Sequence, residues 1–434
     1  MTGRRFPAPR PAVAPGPARR PGFVRIVRSG AVGCALALCA CADRGEGRAK
    51  GRAAAGPAWF VDEAEERGLR FVHRSGAAPG VHRLPEIMGG GGALFDADGD
   101  GDLDAYLVQG GDVLDPAAPG APNRLFLNDG RGRFEDVTGA SGAGGAGYGM
   151  GVAVGDVDGD ARPDVLVTNV GRNELFRNLG DGRFEECAAA AGVDHPGWGT
   201  SAAFFDFDLD GDLDPYVCNY VHWKASQELR CDNRLGEPDY CTPLAYEAPA
   251  LDVLYRNDGR GRFVDVSRAA GIEAATGTGL GVAVLDVDED GRPDVFVAND
   301  AMPNLLWRNL GDGTFREDGL LAGCGVDGTG MTKAGMGVAV GDPDDDGDLD
   351  LMVCNLVRET DSLYVNERGS FVDRTARAGL ANDSRPFTRF GIGWVDFDHD
   401  GRLDLYVANG RVMRAHPTYG ADPYAEPDLL FRGV

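Results

Sequence analysis

The sequence predicts an all-β protein, a β-propeller with six blades of four strands as the favoured count. Three observations carry the prediction. An aspartate-rich loop recurs six times, a hairpin pattern recurs between the loops, and a Gly- and Val-rich run precedes most of them. With 66 glycines and 43% apolar residues in 434, the composition is that of a folded, turn-rich chain rather than a disordered acidic one.

The loops begin at Asp96, Asp156, Asp206, Asp286, Asp342 and Asp396, spaced 50–60 residues apart with one gap of 80. A period of this size marks a propeller or another repeat array. Each loop reads D-x-D-x-D-[G/A]-x-x-D and runs into a short apolar stretch, as in FDADGDGDLDAYLV from Phe95. Oxygens at positions 1, 3 and 5 of a tight loop converge on one point. Glycine at position 6 permits the turn, position 7 offers its carbonyl, and position 9 adds a carboxylate. Hard oxygen donors in a flexible loop suit Ca²⁺ better than Mg²⁺, so up to six Ca²⁺ ions are expected.

The expected ligands are Asp96, Asp98, Asp100, Asp102 and Asp104 in loop 1, and Asp156, Asp158, Asp160, Arg162 and Asp164 in loop 2. Loop 3 offers Asp206, Asp208, Asp210, Asp212 and Asp214, and loop 4 offers Asp286, Asp288, Asp290, Arg292 and Asp294. Loop 5 has Asp342, Asp344, Asp346, Asp348 and Asp350, and loop 6 has Asp396, Asp398, Asp400, Arg402 and Asp404. The seventh-position residues act through their backbone carbonyls. Loop 2 is the weakest, because Ala161 replaces the glycine. An EF-hand is excluded: position 12 is Leu107, Val167, Val217, Val297, Val353 or Val407 instead of Glu, and the flanks are β-rich.

Between loops, stretches such as NELFRNLGDGRFEEC from Asn173 read as an apolar–aromatic strand, an Asn/Asp-Gly turn and a second strand. Phe126, Phe176, Tyr255, Trp307, Tyr364 and Phe431 are expected to pack between blades. Runs such as GMGVAVGD from Gly149 supply small residues for innermost strands. One unit is then four strands, and six units form a propeller. The sixth unit stops before an outer strand, and Trp59-Phe60-Val61-Asp62 reads like the missing one, with Glu63 to Leu69 after it resembling the segment Arg268 to Ile272 after Phe263. Closure of six blades by that N-terminal strand is favoured; the alternative is a truncated seven-bladed propeller.

The N-terminus reads as an export signal, residues 1–41. Seven arginines and no acid precede the uncharged run AVGCALALCA, too short to span a bilayer. Leu38-Cys39-Ala40-Cys41 resembles a bacterial lipobox, with Cys41 as the lipidated residue; a cleavable signal without lipid is the alternative. Residues 42–58 read as a flexible tether and 59–434 as the propeller, with an insertion at 222–250. The net charge of −25 resides wholly beyond the basic leader. It disfavours nucleic acid and anionic lipid and favours bound cations, leaving a lipid anchor as the one expected membrane contact.

The loop motif followed by N-x-LFRN-x-GDGxFxD resembles FG-GAP/VCBS repeats. FVHRSG with PEIMGGGGALFD (71–96), CDNRLGEPDYCTP (231–243) and VANGRV (407–412) resemble the ASPIC/UnbV group of cartilage acidic protein-like chains. The resemblance covers 59–434 and implies a secreted or surface calcium-binding propeller with a binding or adhesive role. Members of the group commonly continue into a C-terminal ASPIC/UnbV domain, which is not evident before Val434.

No G-x-S-x-G, H-E-x-x-H or Walker loop occurs, and the six histidines are scattered. His73 reads as a structural histidine. The chain is therefore expected not to be an enzyme; the alternative is a calcium-dependent, phytase-like propeller hydrolase. Cys231 and Cys241 are expected to form a disulfide closing the insertion, while Cys187, Cys218, Cys324 and Cys354 read as small buried residues. The leading reading is an exported scaffold in the bacterial envelope or secreted, presenting a surface to a protein or carbohydrate ligand. The insertion, with Trp223, Tyr240 and Tyr246, is the expected recognition surface.

Overall fold

A computed structural model describes residues 23–26, 61–115, 122–233, 236–414 and 422–434. Cys41, the tether and Trp59-Phe60 lie outside the described residues. Six four-stranded antiparallel sheets stand around a ring as blades of a propeller. Blade 2 is typical: Gly149–Gly155 is the inner strand, followed by Asp164–Asn169, Glu174–Gly180 and the outer Arg183–Glu186. The same order runs through blades starting at Gly92, Gly199, Gly279, Val338 and Arg389.

Burial follows position in the blade. The second strands Asp164–Asn169, Asp214–Asn219 and Asp294–Asn299 are buried along their whole length, because neighbouring blades cover both faces. That is why they read as continuous Val-rich runs instead of alternating ones. Phe126, Phe176, Tyr255, Trp307, Tyr364 and Phe431, one per third strand, are all buried between blades as expected.

One polar contact recurs six times at the end of the second strand. Its last backbone N–H, or the one two residues beyond, donates to an Asn or Asp just before the third strand. The pairs are Gln109 to Asn123, Asn169 to Asn173, Asn219 to Asp252, Asn299 to Asn304, Asn355 to Asp361 and Asn409 to Asp428, at 2.8–3.2 Å. Two of the buried carboxylates have further partners. Tyr216 donates its hydroxyl to Asp252 at 2.8 Å, and Arg389 pairs with Asp361 at 2.6 Å with both side chains fully buried.

The sixth sheet closes with an N-terminal strand, but a different one from that expected. Phe23–Ile26 pairs with Leu429–Gly433, while Val61 and Asp62 belong to no strand. Register explains the fit. In the other blades the outer-strand Phe pairs with the last Asn of the motif, as Phe315 pairs with Asn309; Phe23 meets Gly433 at that place. The segment Glu63 to Leu69, expected to resemble Arg268 to Ile272, forms a turn against blade 1. Gly68 (φ 96) packs on the Phe134 carbonyl as Gly142 packs on that of Phe184, and Phe134 N–H donates to the Arg67 carbonyl at 2.7 Å.

The insertion carries the expected disulfide, Cys231–Cys241, across a two-stranded ribbon. Its aromatic residues turn inward, contrary to the expectation of a presented surface. Trp223 packs edge-on to Trp198 and donates to Glu228 at 2.6 Å, and Tyr246 also donates to Glu228. Tyr240 is buried against His82 and Tyr424. Trp223 and Tyr246 pack with Leu84, Tyr148, Trp198 and Tyr220 as an aromatic cap at one end of the ring. An indole or phenol ring sheds water at little entropic cost, so a covering loop gains by burying it. Cys218, Cys324 and Cys354 are buried and Cys187 is half-buried.

Burial raises the Asp252 carboxyl to about 6. Between about pH 4 and 6 the folded chain keeps a proton that the unfolded chain has released, so stability falls as pH rises through that window. Asp252→Asn places there the residue that Asn123, Asn173 and Asn304 already supply. It should flatten this slope and raise stability at pH 8 by about 1–3 kcal/mol, read from urea midpoints at pH 4.5 and 8.

Candidate metal centres

Each aspartate loop joins an inner strand to a second strand, so all six lie at one end of the ring, opposite the cap. The first aspartate organises the turn. Asp96 accepts N–H bonds from Gly99, Asp100 and Gly101 at 2.7, 3.1 and 3.0 Å, and the last two contacts recur from Asp156, Asp206, Asp286, Asp342 and Asp396. The sixth position has positive φ throughout, as its glycines predict; Ala161 is forced to φ 65. The fourth position does too, at Leu209, Glu289, Asp345 and His399 as well as at Gly99 and Gly159. That requirement was not readable from so varied a column.

The turn brings the carboxylates together. One oxygen each from Asp96, Asp98 and Asp104 lies within 4.8 Å of the others, as do those of Asp156, Asp158 and Asp164. The triads Asp206, Asp208, Asp210; Asp286, Asp288, Asp290; and Asp342, Asp344, Asp346 meet the same limit. Asp102, Asp158, Asp344 and Asp398 each keep a buried carboxylate oxygen without a hydrogen-bond partner. Oxygen donors crowded this closely, with lone pairs left over, fit a hard divalent cation.

The ninth aspartate is buried in every loop. Asp164 accepts Val157 N–H at 3.0 Å and Asn178 N–H at 2.7 Å, so it ties the loop to the third strand. Desolvation raises Asp164 and Asp294 to about 6, Asp214 to about 7 and Asp350 to about 8. A cation beside these four buried carboxylates would offset the desolvation that raises them.

Sequence reasoning missed the arginines. Arg162 and Arg292 turn back onto Asp160 and Asp290, while Arg177 and Arg308 in the third strands pair with Asp158 and Asp288 at 3.2 and 2.7 Å. Arg432 reaches Asp398 at 2.7 Å. The repeated LFRN motif held the signal. These guanidinium groups are occupied by loop aspartates, so they offer no clear seat for a substrate phosphate. His73 is half-buried, burial lowers its pKa, and it is in none of the metal clusters described.

The FG-GAP-like repeat model matches residues 96–167, 156–217, 244–297, 286–353 and 342–407, more than half of the chain. The chain is an FG-GAP repeat protein. Its curated relatives include cartilage acidic protein 1 of Xenopus tropicalis, 27% identical over 221 residues, or 46% of this chain and 33% of that protein. The Homo sapiens protein of that name is 30% identical over 196 residues, 43% of this chain and 29% of that one. These names support the grouping expected from the sequence, and neither is an enzyme's. The FG-GAP chain spans about a third of the length of these relatives.

Solved structures similar to it include BBS1N in complex with ARL6DN (TM-score 0.40, 11% identity, 73% of this chain and 74% of that one). The Vibrio cholerae biofilm matrix protein Bap1 is another (TM-score 0.35, 14% identity, 65% and 38%). Repeat and fold together make the chain a binding or adhesion module in general character. Among the described residues, no helix is long and apolar enough to cross a membrane.

Left-handed backbone costs a non-glycine residue about 1 kcal/mol. Ala161→Gly should therefore raise stability by about that amount, seen as a later denaturation midpoint; an unchanged midpoint would show that Ala161 is not strained.

Proposed function

We propose that this FG-GAP protein is an exported propeller pinned by calcium, serving as a binding or adhesive scaffold at the cell surface. The observation that carries the reading is the set of converging aspartate carboxylates repeated along one end of the ring. Calcium's tolerance of irregular oxygen shells suits loops that differ at positions 2, 4 and 7. The residues that would hold it are the aspartates at positions 1, 3, 5 and 9, with the seventh carbonyl. The ion would supply positive charge to a turn otherwise rich in repelling carboxylates. A protein or carbohydrate ligand is the proposed partner, and nucleic acid is disfavoured by charge.

With no bidentate Glu, affinity should match weak extracellular modules, roughly 10⁻⁴ to 10⁻³ M. Saturating Ca²⁺ should raise the melting temperature by binding the folded state alone. Asp290→Ala should reduce that rise. A melting curve identical in Ca²⁺ and in chelator would overturn the calcium reading.

Export rests on the basic leader and on Leu38-Cys39-Ala40-Cys41, with Cys41 as the proposed lipid anchor. Processing there would remove Phe23–Ile26 and leave the outer edge of blade 6 to residues 59–62, whose following turn already sits at the seam. A chain beginning at Cys41 should then melt close to the full chain, and one beginning at Glu63 at a lower temperature. Equal losses in both would assign the closing role to Phe23–Ile26 and count against processing at Cys41.

A further inference from the structure

We infer that the six loops are not equivalent: loop 5, Asp342 to Asp350, is the tightest divalent-cation site, and loops 2, 4 and 6 are partly neutralised from within by arginine. The inference rests on the calcium reading above and ranks the sites within it.

The ninth aspartate shows the difference. In five loops one of its oxygens accepts the backbone N–H of position 2, from Ala97, Val157, Phe207, Val287 or Phe397, at 2.7–3.2 Å. In loop 5 position 2 is Pro343, which has no N–H. Asp350 is 0% exposed; its Oδ1 accepts Asn366 N–H at 2.8 Å, and its Oδ2 has no hydrogen-bond partner. A buried, unpaired carboxylate oxygen carries the full cost of lost hydration. A cation at the loop removes that cost, and in the other loops part of it is already met by the backbone.

Counter-charge differs in the same direction. Loops 2, 4 and 6 hold Arg162, Arg292 and Arg402 at position 7, and third-strand Arg177, Arg308 and Arg432 add a second guanidinium to each. Loop 5 has Asp348 at position 7 and Val365 at the third-strand place. None of its five repeat aspartates is in an ion pair among the described residues. A cavity of about 210 Å³ also opens there, lined by Pro343, Asp344, Asp346 and Asp350 and by Arg374 and Arg377, neither of which is in an ion pair with a loop aspartate among the described residues; Arg374 pairs with Glu367. That space admits an ion with some of its water. Divalent cations with oxygen ligands are the chemical class this arrangement takes.

Terbium luminescence on the full chain, with Ca²⁺ as competitor, tests the ranking. Trp394 lies against Gly341, one residue before loop 5, and two residues before loop 6 in sequence, so it can sensitise an ion in either. The first luminescent step should disappear in Asp346→Asn and persist in Asp400→Asn. Pro343→Ala restores the missing N–H with little risk to the fold and should weaken that step about tenfold, the value of one modest hydrogen bond. The inference is overturned if the first step survives both Asp346→Asn and Pro343→Ala, or is lost in Asp400→Asn. Ca²⁺ binding that begins at another loop would sink this ranking alone. No binding of either ion by the unaltered chain would sink the calcium reading with it.

Discussion

The buried aspartate that opens each second strand is the constraint on which the blades depend. Asp104, Asp164, Asp214, Asp294 and Asp350 each accept the N–H of the last third-strand Asn, and Asp404 accepts that of Gly433, at 2.7–2.8 Å. One carboxylate therefore fixes where the second strand begins, where the third ends and how the loop between inner and second strands is folded. A charge placed so deeply is tolerated only with several donors or a cation nearby. The acidic loop in front of it is what would bring the cation, so the repeat's core and its candidate metal site are one structure.

The same Asn carries the constraint from blade to blade. Its side-chain amide donates to the position-2 carbonyl of the preceding loop: Asn178 to Ala97, Asn257 to Val157, Asn309 to Phe207 and Asn366 to Val287, at 2.8–3.0 Å. Loops 1 to 4 are thereby held from both sides of a blade interface. The sixth blade has Gly433 in that place and no amide to extend. At that seam other contacts take over. Arg67 reaches the carbonyls of Arg131 and Gly132, and on the cap Arg414 contacts Asp239, His82 and Tyr424.

What the sequence made legible was much of what repeats. Six loops in register, the aromatic third-strand residues and the Asn-Gly hairpins each recur, so chance matches at one position are corrected by five others. The Cys231–Cys241 bridge was readable because the insertion holds two cysteines and is otherwise short of regular structure. What escaped was long-range or sign-dependent. Residues 23–26 and 59–62 both carry an outer-strand Phe, and local pattern cannot choose between them. The inward turn of Trp223, Tyr240 and Tyr246 depends on Glu228 and on a cap assembled from segments over three hundred residues apart. Arg177 and Arg308 lay in plain view in the LFRN motif, but their targets became visible only once the loops and third strands were placed side by side.

The two ends of the ring differ in chemistry, and that limits where a partner can dock. At the cap the large aromatic groups are spent on one another: Trp198 contacts both Tyr220 and Trp223, and Tyr240 is closed in by His82 and Tyr424. The aromatic groups that would anchor an interface are turned inward there, while Leu229 and Leu244 of the insertion stay exposed. The opposite end is a circle of acidic turns whose local charge differs from loop to loop. A cation entering those turns changes the field of that end without moving the strands, since strand register is already set by the ninth aspartates and the Asn amides. A ligand that reads charge would therefore meet a different surface with and without metal on the same rigid ring. A ligand that reads shape would not.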